Sequence, residues 1–324
     1  MEKLDAYLLK LYASSNMSIA KTILVILTAV AVLLTAAVCF FPPNIINQEI
    51  SQQTYTNILF VGDLMFDRGI RYYAEKNGGN EFIFEKISDF LKNYDLVVAN
   101  LEGPITDEKS ISVSTAPGAE KNYFFTFDKS VAETLYNQNI KIVNLGNNHI
   151  LNFGSKGLEA TKRYLNEAGI DYFGAPGEKT NIIKNIKGVK IGFINYNEFY
   201  ENQLPVGDEI KTLKSEADIV IVYCHWGIEY QKIPSEEQIK MARWFIDNGA
   251  DLVVGSHPHV TQTTEEYKGK RIYYSLGNFI FDQYFNESVR NGLGVVLKIN
   301  NQTKEIYFSE IYFYLDKNGQ TVLK

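Results

Sequence analysis

The sequence predicts an α/β fold that follows a single membrane-spanning helix. From Asn57 onward, short apolar runs alternate with amphipathic segments, which is typical of α/β proteins with a largely buried sheet. Before that point, residues 22–41 form one uncharged apolar run of helix length. The chain has 324 residues, of which 45% are hydrophobic, so it is long enough to bury one large core or two modest ones.

The N-terminal apolar run reads TILVILTAVAVLLTAAVCFF. At a rise of ~1.5 Å per residue, a helix of this length spans the ~30 Å hydrocarbon core of a bilayer. Three lysines precede the run, whereas the stretch that follows it carries no Lys or Arg, which predicts a cytoplasmic N-terminus. The predicted organisation is a cytoplasmic segment at 1–21, a transmembrane helix at 22–41, a juxtamembrane linker at 42–56 and an extracellular domain at 57–324. The predicted location is therefore the cell membrane, with a single pass.

Seven apolar runs rich in Val, Ile and Tyr have the length of buried strands. They are NILFVGD, YDLVVANLE, IKIVNLGNN, VKIGFINYN, ADIVIVYCHWG, ADLVVGSHPH and RIYYSLGNF. After Gly292, no helical pattern separates the apolar runs, which predicts an antiparallel hairpin that closes the domain.

Three segments between these runs have helical periodicity. EFIFEKISDFLKN predicts one helix over residues 81–93. A second helix is predicted from a cap at Ser155 to a stop at Gly169. A third is predicted with Ser235 as its N-cap and Gly249 as its stop signal.

The charge balance bears on possible partners. The formal net charge is −6, and nonspecific binding of nucleic acid usually needs the opposite sign, so nucleic acid is excluded as a partner. Any other polyanionic partner requires a local basic patch or bound cations.

Polar residues accumulate where the predicted strands end, and ligands of open α/β sheets bind beyond the carboxyl ends of strands. The chain has four histidines, and all four lie at such ends. The full set of polar residues at the strand ends is Asp63, Asn100, Glu102, Asn147, Asn148, His149, His225, His257 and His259. One histidine alone is compatible with a structural role, but the whole set at strand ends predicts a functional site.

Imidazoles, carboxylates and an amide oxygen together suit Mn, Fe or Zn better than Mg or Ca. One or two such divalent ions are therefore expected as cofactors. Two ions ~3.5–4 Å apart are able to hold the attacking and leaving oxygens of a phosphoryl displacement. A histidine outside the coordination shell would then serve as a general acid.

Motifs along the chain carry a family resemblance. Five ordered blocks, Gly-Asp, Asn-Leu-Glu, Gly-Asn-Asn-His, the histidine of HWG, and Gly-Ser-His-Pro-His, resemble the metal-ligand blocks of calcineurin-like metallophosphoesterases. FVGDLMFDRGI, ANLEGPIT, NLGNNHILNFG, HWGIEY, GSHPHV and YYSLGNFIFDQ resemble more closely the CapA/PgsA family of poly-γ-glutamate capsule biosynthesis proteins. These blocks extend over about residues 58–283.

The resemblance implies a four-layered αββα metallophosphoesterase-like sandwich with a metal centre between two sheets. The metal ligands that it implies are Asp63 and His259 on one ion, Asn148, His225 and His257 on the other, and Glu102 in the bridging position. It also implies that His149 is the unliganded general acid. Met65 stands where the superfamily has a further histidine, so the first ion is predicted to lack one nitrogen donor.

Five more residues are predicted to support the ligands or to contact substrate. They are Asn100, Asn147, Arg68, Glu229 and Asn278.

The resemblance further implies a role in synthesis, export or anchoring of an anionic capsule polymer, poly-γ-glutamate, together with other membrane-bound capsule synthesis proteins. Two alternatives stay open. One is an extracytoplasmic metal-dependent phosphoester hydrolase unrelated to capsule, with His149 protonating the leaving group. The other is a degenerate, non-catalytic domain that binds polymer or partner proteins. Met65 favours the degenerate domain, and retention of all four histidines favours catalysis.

Overall fold

A computed structural model describes residues 54–113, 115–116, 118–178, 180–199 and 206–324, with five isolated positions before residue 54. Thr54–Lys324 forms one compact unit. Most of the predicted transmembrane helix at 22–41 and most of the predicted linker lie outside the described residues. No helix in the described part of the chain has the length and apolar character needed to cross a bilayer.

The strands of the described residues form two sheets. The first sheet contains β1 (Tyr55–Leu64), β2 (Leu96–Leu101), β3 (Ile140–Asn144), β4 (Asp171–Phe173), β11 (Asn278–Ile280), β12 (Asn291–Asn300), β13 (Ile306–Leu315) and β14 (Thr321–Leu323). Its order is β14-β13-β12-β1-β2-β3-β4, and β11 also pairs with β1. Strands β1 to β4 are parallel, whereas β12, β13 and β14 are antiparallel, as predicted for the tail.

The second sheet contains β5 (Asn181–Ile186), β6 (Val189–Asn197), β7 (Ile219–His225), β8 (Leu252–Ser256), β9 (Thr264–Tyr267) and β10 (Lys270–Tyr273). Its order is β5-β6-β7-β8-β10-β9. The four inner strands β6, β7, β8 and β10 are parallel, so their carboxyl ends share one edge of the sheet.

The helices are α1 (Arg68–Lys76), α2 (Glu81–Phe84), α3 (Ser88–Leu91), α4 (Ser130–Asn137), α5 (Gly154–Ala168), α6 (Val206–Glu216) and α7 (Glu236–Asp247). The single helix predicted over residues 81–93 is wrong. Ile87 has φ −123° and ψ −11°, which breaks the helix into α2 and α3. With this break, Phe84, Ile87 and Leu91 are all buried in one apolar core.

The caps of the other two predicted helices differ in outcome. Helix α7 has the predicted cap, because the Ser235 hydroxyl accepts from Gln238 N at 3.1 Å and the Gln238 side chain accepts from Ser235 N at 2.9 Å. The predicted cap at Ser155 is wrong, because Ser155 lies inside helix α5, whose N-cap is Phe153, two residues earlier; the helix ends as predicted at Gly169, where φ is 77°.

Three apolar cores separate four layers. Phe60 and Val98 of the first sheet meet Phe193 and Tyr223 of the second in the core between the sheets. The outer face of the first sheet packs against helices α1 to α5, and the outer face of the second packs against α6 and α7. Because each fully buried large apolar side chain contributes about 1.5–3 kcal/mol, these cores hold the two sheets face to face.

Tyr223 provides a polar contact between the sheets, because its buried hydroxyl donates to Val61 O at 2.8 Å. We predict that Tyr223→Phe lowers the free energy of unfolding by about 1–2 kcal/mol, since a buried carbonyl loses its donor. Denaturant unfolding measures this change. Tyr307→Phe is the matched control, because the Tyr307 hydroxyl lies at the surface near Glu305 and its loss should cost less than about 0.5 kcal/mol. Equal losses in the two variants would contradict the prediction.

Candidate metal centre

The carboxyl ends of strands from both sheets meet at one site. Asp63 lies near the end of β1 and Glu102 directly follows β2, so the first sheet supplies the carboxylates. His225 ends β7 and His257 follows β8, so the second sheet supplies imidazoles. Asp63, Glu102 and His225 have no solvent exposure, so the structure brings the predicted residues into a buried cluster.

Three groups of potential ligands stand out among the described residues. In each group, one atom from every member lies within 4.8 Å of the others: Asp63, Glu102 and His259; Glu102, His225 and His257; Glu229, His257 and His259. The shared members make the groups one continuous cluster. Glu229, predicted as a supporting residue, is therefore placed among the candidate ligands.

His259 is oriented by the acid and the amide on either side of it. Its Nδ1 lies 3.0 Å from Asn278 Oδ1 and 3.2 Å from Asp63 Oδ2. Because the Asn278 amide nitrogen donates to Gln283 and to Val289 O, its oxygen faces the imidazole as an acceptor. Nδ1 therefore carries a proton, and Nε2 lies 3.5 Å from Glu102 Oε1.

Polar side chains contact both ring nitrogens of His225. Ser256 Oγ, which donates to Cys224 O at 2.8 Å, lies 3.0 Å from His225 Nδ1, and the amide nitrogen of Asn100 lies 3.3 Å from the same atom. His225 Nε2 lies 2.8 Å from Asn148 Oδ1. An imidazole nitrogen and an amide oxygen this close together are atoms that one metal ion can bind.

Two buried atoms of the cluster point to the same conclusion. Within the described residues, Glu102 Oε1 and His257 Nδ1 have no hydrogen-bond partner. A buried polar atom without a partner costs about 1–3 kcal/mol, and more when it is charged. A divalent cation between the carboxylate and the imidazole would satisfy both atoms, so the donor set fits the predicted cofactor.

The electrostatics of the cluster are consistent with metal binding. Burial, with a smaller contribution from His257, lowers the pKa of His225 well below its ordinary value. Burial and His259 lower the pKa of His257 to about 3. Both imidazoles are therefore neutral at neutral pH, the state in which histidine binds metals. Burial, followed by the charge of Asp63, raises the pKa of Glu102 well above its ordinary value, so its ionised form needs a cation nearby.

A relay of asparagine side chains holds Asp63 in place. The Asn195 amide donates to Asn144 Oδ1 at 2.9 Å, and Asn144 donates to Asn100 Oδ1 at 3.0 Å. Asn100 then donates to Asp63 Oδ1 at 2.8 Å. The predicted supporting role of Asn100 thus has a structural basis, while Asn144 and Asn195 are additions that the sequence motifs did not indicate.

Asn147 and Asn148 have different environments, which the sequence alone did not distinguish. Asn147 donates to Leu101 O at 2.8 Å and accepts from His149 N at 3.2 Å, so it holds the loop after β3 to the end of β2. Asn148, with its oxygen at His225, lies at the cluster itself.

His149 lies at the edge of the cluster. Its Nε2 is 3.9 Å from Glu102 Oε1, and its Nδ1 is 3.2 Å from Asn152 Oδ1. Burial lowers the pKa of His149 to about 4, so the ring is neutral in this state. Its role as a general acid stays a prediction, and that role requires a bound anionic group to raise this pKa.

Met65 does not face the cluster. Its sulfur accepts from Asp67 N at 3.0 Å, and its side chain is fully buried in the core under α1. The position at which the superfamily has a histidine is thus used for packing.

The backbone is strained at this site. Eight non-glycine residues of the described chain have positive φ, and four of them lie here: Arg68 at 49°, Tyr230 at 67°, His257 at 95° and His259 at 55°. Such conformations cost about 1–3 kcal/mol each and tend to cluster at functional sites. Gly62 allows a close backbone approach, since a Cβ there would lie 1.8 Å from Gly277 O.

Aromatic rings surround the histidines, and sequence motifs did not single out most of them. Phe125 packs on His149 with ring centroids 4.4 Å apart, and Phe281 packs on His259 at 4.7 Å. Phe199 covers His257 at 4.4 Å. These rings exclude water from the imidazoles and fix their orientation.

The fold and the polar cluster at its strand ends define an α/β sandwich protein with a candidate metal centre. A solved structure of similar fold is a phosphatase from Mycoplasma pneumoniae, with a TM-score of 0.51 and 16% identity. The match covers 81% of this chain and 95% of that one. At this identity, the likeness shows the fold alone.

The chain belongs to the family described as bacterial capsule synthesis protein PGA_cap, whose model matches residues 57–283. It is 32% identical over 247 residues to the capsule biosynthesis protein CapA of Bacillus anthracis, covering 69% of this chain and 59% of that protein. It is also 32% identical over 244 residues to the PGA biosynthesis protein CapA of Bacillus subtilis, covering 69% of this chain and 63% of that protein. The chain thus spans about three fifths of the length of these relatives.

We predict that Mn²⁺ or Zn²⁺ raises the melting temperature of the wild-type protein and leaves that of Glu102→Gln nearly unchanged. A ligand at a hundred times its dissociation constant stabilises the folded state by about 2.7 kcal/mol. Without metal, Glu102→Gln should be more stable than the wild type, because it removes a buried carboxylate that has an unpartnered oxygen. Thermal melts with and without metal measure both effects, and an equal metal-induced shift in both proteins would disprove the role of Glu102.

We predict that His259→Ala loses bound metal, whereas Met65→Leu retains it. The first change removes a ligand, and the second conserves volume in a core position at a cost below about 1.5 kcal/mol. Elemental analysis of the two purified proteins measures the metal content. Equal loss of metal in Met65→Leu would show that the methionine is a ligand after all.

Proposed function

We propose that this protein acts in the production of an anionic capsule polymer, poly-γ-glutamate, through synthesis, export or anchoring of the polymer. Membership of the capsule synthesis family is the observation that carries the proposal. The relative from Bacillus subtilis is named for PGA biosynthesis, which agrees with this assignment. Other membrane-bound capsule synthesis proteins are the proposed partners.

The proposed location is the outer face of the cell membrane, with a single pass. The uncharged run at 22–41 and the lysines before it support this arrangement. The polymer accumulates outside the cell in this proposal, so the domain that begins near Asn57 would meet its substrate there.

The proposed chemistry is metal-assisted hydrolysis or transfer at the buried cluster. A divalent cation held by Asp63, Glu102, His225, His257 and His259 would supply Lewis-acid polarisation of a substrate oxygen. Asn278 accepts a hydrogen bond from His259 Nδ1, so in this proposal His259 binds the cation through Nε2. His149, at the edge of the cluster, holds or delivers a proton at its Nε2.

The proposal is tested in a capsule-forming strain that lacks its own CapA-like protein but retains the rest of the machinery. We expect the full chain to restore cell-associated polymer and His257→Ala to restore little. Immunoblots of membrane fractions control for protein level. If the wild-type chain is present in the membrane but makes no polymer, the capsule role is wrong.

The enzymatic part is tested separately with the purified full chain. We predict that His149→Ala lowers turnover of a γ-glutamyl peptide by about 10²–10⁴-fold at unchanged metal content, because a positioned acid or base contributes that much. A phosphodiester substrate runs in parallel. Turnover of the phosphodiester alone would favour a general hydrolase, and full polymer production by His149→Ala in cells would show that this histidine is not needed for the capsule role.

A further inference from the structure

A cleft beside the metal centre has no role in the mechanism above. It has a volume of about 860 Å³, and we call it the tyrosine cleft, after Tyr72, Tyr123 and Tyr230 among its lining residues. Tyr230 joins the cleft to the metal centre, because its ring centroid lies 6.3 Å from that of His259. A ligand in the tyrosine cleft would therefore end next to the candidate ligands.

Arg68 lies at the boundary between the tyrosine cleft and the metal centre. Its guanidinium carbon is 4.9 Å from the centroid of Phe125 and 5.4 Å from that of Phe281. Phe125 packs on His149 and Phe281 packs on His259, so each of these rings contacts both the guanidinium and a histidine. Such cation–π contacts fix the plane of an arginine as well as stabilise its charge.

Polar contacts from two other segments hold the same guanidinium. Arg68 pairs with Asp282, whose second oxygen accepts from Gly69 N at 2.9 Å. Its Nη1 donates to Asn122 Oδ1 at 3.2 Å. The Arg68 side chain is only 12% exposed, and its Nε has no hydrogen-bond partner in the described part of the chain. Arginine held in this way loses little conformational entropy when it binds an anion.

The charge of the tyrosine cleft differs from that of the chain. The protein carries a net charge of −6. Among the described lining residues, Arg68 and Lys317 are cationic, and Asp282, already paired with Arg68, is the one acid. Two cations on separate segments of one ring-lined cleft suit a ligand that repeats its negative charge along an apolar backbone.

We propose that the tyrosine cleft binds a short run of a γ-linked glutamyl chain and guides it to the metal centre. This inference rests on the proposed function. Each γ-linked unit carries one free carboxylate and two methylene groups. Arg68 donates to one carboxylate, Lys317 attracts another, and the rings of Tyr72 and Tyr230 pack on the methylene groups between them.

The test is titration calorimetry of the metal-loaded full chain with a γ-glutamyl octamer. Arg68→Gln should weaken binding by about tenfold to a hundredfold, the effect of losing a charged hydrogen bond. The affinity of Arg68→Lys for the octamer should lie between those of the wild type and Arg68→Gln, because lysine keeps the charge but lacks the planar guanidinium. Arg163→Gln is the matched control, since that guanidinium is exposed on α5 and pairs with Asp107, and its binding should equal that of the wild type.

Metal content and melting temperature confirm that each variant is folded. Lys317→Gln provides a second variant on a different segment of the cleft, and it should weaken binding of the octamer but not of the γ-glutamyl dimer. Unchanged octamer binding in both Arg68→Gln and Lys317→Gln would overturn the inference. A glycerol-phosphate oligomer that binds as tightly as the octamer would also overturn it.

The two proposals fail in distinguishable ways. The capsule role fails if the wild-type chain restores no polymer in cells. The cleft assignment alone fails if the wild type restores polymer while Arg68→Gln and Lys317→Gln both bind the octamer as tightly as the wild type does.

Discussion

The burial of two carboxylates determines how this structure is arranged around its centre. Asp63 and Glu102 have no solvent exposure, and no lysine or arginine of the described residues forms an ion pair with either. A buried carboxylate without a counter-charge costs several kcal/mol, which hydrogen bonds only partly offset. The asparagine relay donates to Asp63, while Glu102 keeps an oxygen without a partner. A bound cation would offset the charge of these carboxylates.

The layered fold makes such a centre possible. The first sheet delivers the carboxylates and the second delivers three of the four imidazoles, each at the carboxyl end of a parallel strand. The apolar core between the sheets fixes their separation, and the Tyr223 hydroxyl connects them near β1. The candidate metal centre thus depends on packing between the two sheets, and neither sheet supplies all of its residues. A change that loosens the core between the sheets would therefore also displace the candidate ligands.

The sequence predicted those parts of the site that depend only on residue type and on position at the end of a strand. Histidines and carboxylates after apolar runs indicated the cluster, since the ends of parallel strands meet at one edge. The sequence did not predict features that depend on the backbone conformation of a single residue. Ile87 divides a helix that has an unbroken apolar pattern, because its backbone angles are set by the core beneath it. Asn147 and Asn148 are the same residue type in succession, and only the loop path shows which of them faces His225.

The sequence by itself determined the α/β class, the strand ends that carry ligands and the family to which the chain is similar. These follow from local periodicity and from residue chemistry, which neighbouring positions encode. The tertiary structure alone decided the hydrogen bond of His259 Nδ1 to Asn278, the burial of Met65 in the core and the environment of Arg68. Each of these depends on a partner distant in the chain, such as Asp282, which lies 214 residues from Arg68. Contacts of that kind arise from packing of the whole domain, so no local pattern in the sequence specifies them.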